Sequence, residues 1–167
     1  MLPHSQGFRK VISTPPLRNI TGAHLPMGYT NYKPPLLYFG WSFRLKPLLG
    51  WAAENGIDTT MRYQASENRP VIEQPNSLSA VTQPEALAIL AENAGTPHLE
   101  LTFKLGIRSE DYFLLTISSN YSFLKDRKSI TQDHIDTLGK YLKEHGIVQD
   151  SPGWHLDWEH YMWDRIY

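Results

Sequence analysis

The sequence contains no cysteine among its 167 residues. Disulfide frameworks, thiolate zinc sites, cysteine-ligated iron–sulfur clusters and cysteine nucleophiles are therefore excluded. No window approaches about 18 continuous apolar residues, so a membrane-spanning helix is not expected. Met1 to Lys10 holds no apolar core of the kind a secretory leader needs, and a cytoplasmic location is the expectation. Four large functional classes lack their fingerprints. There is no Gly-x-x-x-x-Gly-Lys-Ser/Thr phosphate loop, no Gly-x-Gly-x-x-Gly after a strand, no Gly-x-Ser-x-Gly elbow and no EF-hand loop. Two Asn-x-Ser/Thr triplets occur, at Asn19-Ile20-Thr21 and Asn120-Tyr121-Ser122. With no leader expected, both read as chance matches.

Acidic residues are missing from the first 53 positions, which carry Arg9, Lys10, Arg18, Lys33, Arg44 and Lys46. The remainder carries ten basic residues against all seventeen acidic ones, so a net charge of −1 conceals a basic front and an acidic back. The six front charges form no Lys/Arg cluster of the kind that grips phosphate, so nucleic-acid binding is not expected. They can instead lie on the acidic part of the same domain.

What is present is a globular composition, 41% hydrophobic and 20% charged. A chain of this length fits one domain, 1–167, able to bury a core without staples. Half of the twelve prolines fall within residues 1–35. Proline fixes φ and drives its predecessor toward extended conformations, so this stretch reads as an extended arm anchored by interleaved apolar residues. Residues 36–147 read as an α+β core. Leu36 to Phe43 is a short apolar and aromatic run suited to a buried strand. Pro47 suits the first turn of a helix that ends at Asn55-Gly56-Ile57, with Gly56 left-handed. Thr59 to Gln64 reads as a strand and the polar 65–81 segment as a long loop. Thr82 with Glu85 three residues on predicts a capping box opening a helix that Gly95 and Pro97 stop.

Leu99, Leu101, Phe103 and Leu105 alternate with polar residues, the signature of a strand with one buried face. Tyr112 to Ser118 is apolar on both sides and predicts a more central antiparallel partner. A polar loop over 119–128 precedes a helix from about Thr131 to His145, which ends on a second Gly-Ile pair at Gly146-Ile147. The expected architecture is a mainly antiparallel sheet with about three helices on one face.

The tail, 148–167, is the most unusual segment. Three of the five tryptophans are Trp154, Trp158 and Trp163, interleaved with two histidines and two carboxylates, with Asp164 just after. His155 or His160 beside Asp157 or Glu159 offers a His–carboxylate pair for acid–base work. Trp154 and Trp158, with Trp41 and with His24 from the arm, are the candidate ligand-binding side chains. The same tail spacing allows nitrogen and oxygen metal ligands, but no established ligand spacing appears, so no metal and no cofactor is assigned. His98, His134 and His145 read as single, solvent-facing histidines.

Two functions follow from this reading. The first is a soluble intracellular binding or interaction module, whose arm or tail contacts a protein or small molecule. The second is a small enzyme that moves a proton or hydrolyses a partly apolar substrate through the His–carboxylate pair.

Overall fold

The aromatic run after the prolines forms β1, Leu37–Arg44, as its β-branched-free but ring-rich composition and short length require. Its side chains alternate, and Leu37, Trp41 and Phe43 are buried on one face. The computed structural model describes residues 17–26, 34, 36–64, 66–79, 82–105 and 112–156. After β1 come α1 (Leu45–Glu54), β2 (Thr60–Tyr63), β3 (Ile72–Pro75), α2 (Thr82–Asn93), β4 (Thr102–Leu105) and β5 (Tyr112–Ser119). The short α3 (Phe123–Asp126), α4 (Gln132–Glu144) and β6 (Gly153–Leu156) complete the described chain. The fold is α+β: a four-stranded antiparallel sheet ordered β4-β5-β1-β6, and a separate two-stranded sheet, β2-β3. Among the described residues no helix is long and apolar enough to cross a membrane.

Backbone contacts gather the chain into two compact units. One comprises residues 1–43, 103–131 and 150–167, and the other residues 44–102 and 132–149.

The first unit contains the four-stranded sheet. Phe43, Phe103 and Phe113 form a ring cluster, with Phe103 edge-on to Phe43 at 5.1 Å and tilted against Phe113 at 4.9 Å. Such pairings add to area burial because ring edges and faces carry opposite partial charge. Gly40 has a steric reason to be glycine. A β-carbon there would stand 2.0 Å from the Leu115 carbonyl oxygen and 2.8 Å from the Thr116 α-carbon. β1 thus approaches the backbone of β5 more closely than any side chain allows.

The second unit contains the three longer helices and the hairpin. Its core includes Leu48, Leu49, Trp51 and Ala52 of α1, Leu87 and Leu90 of α2, and Leu138 and Leu142 of α4. Trp51 donates its indole N–H to the Tyr141 hydroxyl at 3.1 Å, so a bulky ring is buried without stranding its donor. All three helices end the same way. Gly56, Gly95 and Gly146 have φ of 76°, 75° and 68°. The following residue's N–H then reaches back to a carbonyl five residues earlier: Ile57 to Ala52, Thr96 to Ala91, Ile147 to Leu142. This closes the carbonyls that a helix end leaves unpaired.

Three local expectations are corrected. The 65–81 segment is not wholly loop, because Ile72–Pro75 pairs antiparallel with β2, placing Arg62 opposite Glu73 and Tyr63 opposite Ile72. Residues 119–128 include the helical turn α3. The helix α2 is capped by Ser79 rather than by a Thr82/Glu85 box: Thr82 N–H donates to Ser79 Oγ at 3.1 Å and Ser79 N–H to Thr82 Oγ1 at 2.8 Å. The reciprocal box is therefore shifted three residues upstream.

Two predictions follow. Gly40→Ala is expected to cost about 3 kcal/mol or more, or to abolish folding, because β5 backbone must move. Gly50→Ala, in open space on the exposed side of α1, should instead stabilise by about 0.5–1 kcal/mol through helix propensity; urea denaturation of both checks this. The hairpin carries the second. The Thr60 backbone N–H and the Arg62 guanidinium hold the Asp58 carboxyl below its ordinary value. Being depressed in the folded state, it contributes stability above the unfolded carboxylate pKa and loses it as pH falls through the folded one. The side chains are about half exposed, so the effect should be confined to the hairpin, read as a downfield-to-upfield NMR titration of Asp58 that shifts toward ordinary values in Arg62→Gln.

Candidate functional site

Leu17 and β6, far apart in sequence, meet at one edge of the four-stranded sheet. β6 pairs with β1 antiparallel, Phe39 opposite Trp154 and Tyr38 opposite His155. On the other side of β6, Leu17 makes an isolated antiparallel bridge to Trp154. Leu17 N–H donates to the Trp154 carbonyl at 2.9 Å and Trp154 N–H to the Leu17 carbonyl at 2.8 Å. Continuing that register would set Asn19 against Pro152 and Leu156 against Pro15. Neither proline has an N–H to give, so sequence alone limits the ladder here.

The Trp154 ring is buried between two others: Phe39 lies tilted at 5.2 Å and Phe123 edge-on at 5.5 Å. Leu17 itself is 36% exposed. At this edge a buried aromatic cluster lies beside a half-exposed leucine.

Asn120, just past β5, ties the segments that frame this edge. Its side-chain oxygen accepts from Leu37 N–H at 2.9 Å and its amide donates to the His24 carbonyl at 2.7 Å. Its own N–H donates to the Leu37 carbonyl at 2.9 Å. Asn120 is 1% exposed, so the sequon it begins is sealed inside the folded protein. Tyr121 donates its hydroxyl to the Pro34 carbonyl at 2.7 Å, a second tether on the segment leading into β1.

A compact hydroxyl–carboxylate group follows. Asp126 accepts from Ser118 Oγ at 2.8 Å and from Ser122 Oγ. Ser119 and Ser122 each accept the other's backbone N–H at 3.1 Å. No imidazole enters this set among the hydrogen bonds described, so its chemistry is that of a turn: it starts α3, which carries Phe123 to Trp154.

The residues singled out from sequence fall as follows. His155 lies on β6, half-buried, on the strand face opposite Trp154. Asp157, Trp158, Glu159 and His160 lie outside the described residues. Trp41 is 1% exposed, within the core, and its indole nitrogen has no acceptor among the described residues. His24 ends a short 3₁₀ turn, where its Nδ1 accepts from Thr21 N–H at 3.1 Å. That bond places the proton of the neutral ring on Nε2. Asn120 joins the backbone of His24 to that of Leu37, two residues before Phe39, whose ring contacts Trp154. His98 and His134, read as single, are in contact, Nε2 to Nδ1 at 2.9 Å. Among the described residues no three His, Asp or Glu side chains gather closely enough to hold a metal. The sequence offered one signal for Asn120, its position directly after the central strand, and none for the Leu17 bridge.

Asn120→Ala should cost about 2–4 kcal/mol, since it strands the Leu37 donor and the His24 acceptor together. Asn120→Asp should cost as much or more, because an acceptor replaces the donor facing the His24 carbonyl. A urea midpoint for each variant measures this.

No family model, no curated protein and no solved structure matches the chain.

Proposed function

We propose that this chain is a soluble, cytoplasmic protein-interaction module that takes an extended partner segment along the outer edge of β6. The observation that supports the reading is the Leu17–Trp154 bridge, where a residue of the proline-rich segment pairs with one of the aromatic segment. An edge strand presents unpaired backbone donors and acceptors, and adding a strand is a recurrent way to recognise peptide. Here one extended residue already occupies the edge. The expected partner segment is extended, with an apolar side chain in the place of Leu17 and no proline at the positions that would pair with β6.

The exchange is energetically modest. Two backbone hydrogen bonds contribute about 1–3 kcal/mol net, and a half-exposed leucine adds part of its burial. A partner segment that pairs over more residues displaces the arm without unfolding the sheet.

The test uses the full chain and a synthetic peptide spanning residues 12–21, supplied in trans. Leu17→Pro removes the arm's N–H and should raise peptide affinity at least tenfold over the native chain, with the Trp154 amide resonance moving on titration. Equal, weak binding by both chains, or shifts that leave Trp154 untouched, would overturn the proposal.

A further inference from the structure

The sequence gives no reason to connect His98 with His134, which lie 36 positions apart. Folding brings them together within the helical unit. His98 sits between two anchored residues: Thr96, buried and bonded to the Ala91 carbonyl, and Leu99, buried, whose N–H donates to the Thr96 carbonyl at 3.0 Å. His134 is in the first turn of α4, a helix fixed by the buried Leu138 and Leu142. Neither backbone has freedom to drift. The rings stand edge to face, centroids 4.0 Å apart, with His98 exposed and His134 half-buried.

An imidazole–imidazole hydrogen bond requires one ring to donate and the other to present a lone pair. A metal ion bound by both nitrogens would displace that proton and sit off the N–N line, with each ring turning its lone pair toward a common point. Metal–imidazole bonds run about 2.0–2.1 Å, so two such nitrogens at a right angle stand about 2.9 Å apart, and at a tetrahedral angle about 3.4 Å. The observed separation is 2.9 Å. It fits the right-angle case, which is the preference of square-planar and tetragonal ions rather than of Zn²⁺.

We propose that His98 and His134 form a two-imidazole site for a divalent transition-metal ion, with Cu²⁺ preferred over Ni²⁺ and Zn²⁺. No third His, Asp or Glu joins them among the described residues, so water completes the coordination and leaves exchangeable positions. Cu²⁺ binds tightest at a nitrogen site with a free choice of geometry. The site shares no residue with the β6 edge and stands or falls independently of the interaction proposal.

The experiment titrates Cu²⁺ into the untagged full chain, followed by calorimetry and by amide NMR. Substoichiometric Cu²⁺ should broaden the Leu99 and Ile135 amides before any others. The tightest binding equivalent should weaken at least tenfold in His98→Gln and in His134→Gln, while His145→Gln, an exposed histidine just past the opposite end of α4, leaves it unchanged. Ni²⁺ and Zn²⁺ should compete only at higher concentration. Survival of the tightest equivalent in both variants, or first broadening elsewhere in the chain, overturns the proposal. Should a variant fail to match the native circular dichroism, the broadening pattern of the native chain decides the matter alone.

Discussion

Much of the sheet unit depends on one buried amide. Asn120 satisfies the backbone of Leu37 in both directions, donor and acceptor, and donates a side-chain N–H to the His24 carbonyl. Backbone groups inside a protein must be paired, and an unpaired one costs about as much as a lost hydrogen bond. Asparagine can meet this demand because its side chain mimics a peptide group, with one acceptor and two donors on a short stem. Here it acts as a substitute strand at the point where β1 begins and β5 has ended. The arm is thereby joined to the sheet by a polar contact that no water can replace at 1% exposure.

That contact has consequences along β1. With Leu37 fixed against Asn120, the strand's next close point is Gly40, whose missing β-carbon lets the β5 backbone at Leu115 come near. Phe39 then faces Trp154 across the β1–β6 pair, and Phe123, placed by the serine–aspartate turn, closes on the same ring. The aromatic cluster beside Leu17 is thus the product of three local devices: an asparagine, a glycine and a capped turn. None is catalytic, and each sets the position of a neighbour.

What the sequence made legible was what is local. Burial of Leu99 and Leu101 around exposed Glu100 was readable as an alternation, but the strand is shorter than the alternation suggests: β4 begins only at Thr102, and 99–101 lie outside it. The helix endings at Gly56 and Gly146 were readable because only glycine takes that backbone freely. The rest required partners distant in sequence. β3 escaped notice because Ile72–Pro75 is exposed throughout and shows no burial pattern; its pairing with β2 is held by Arg62 and its two carboxylates. Ser79 masked itself behind Thr82, since both are good caps and only geometry separates them. Of the candidate site, the unusual segments were legible as composition, but their meeting at Leu17 and Trp154 was not, because a single bridge leaves no periodic trace.

The brevity of that bridge is itself informative. An edge strand left open invites pairing with any extended chain, and proteins protect such edges with proline, charge or cover. Among the described residues the cover is one residue long, and Pro152 stands where the next rung would form. A longer self-complementary ladder would bury the edge permanently; no ladder at all would leave it open to aggregation. One rung, beside a buried aromatic cluster, protects the edge while keeping the clasp weak enough for local release, which ordinary fluctuations reach without global unfolding. A sheet edge covered in this way is suited to a partner that pairs over more of its length than the arm does, and specificity then rests on what fills the place of Leu17 opposite Trp154.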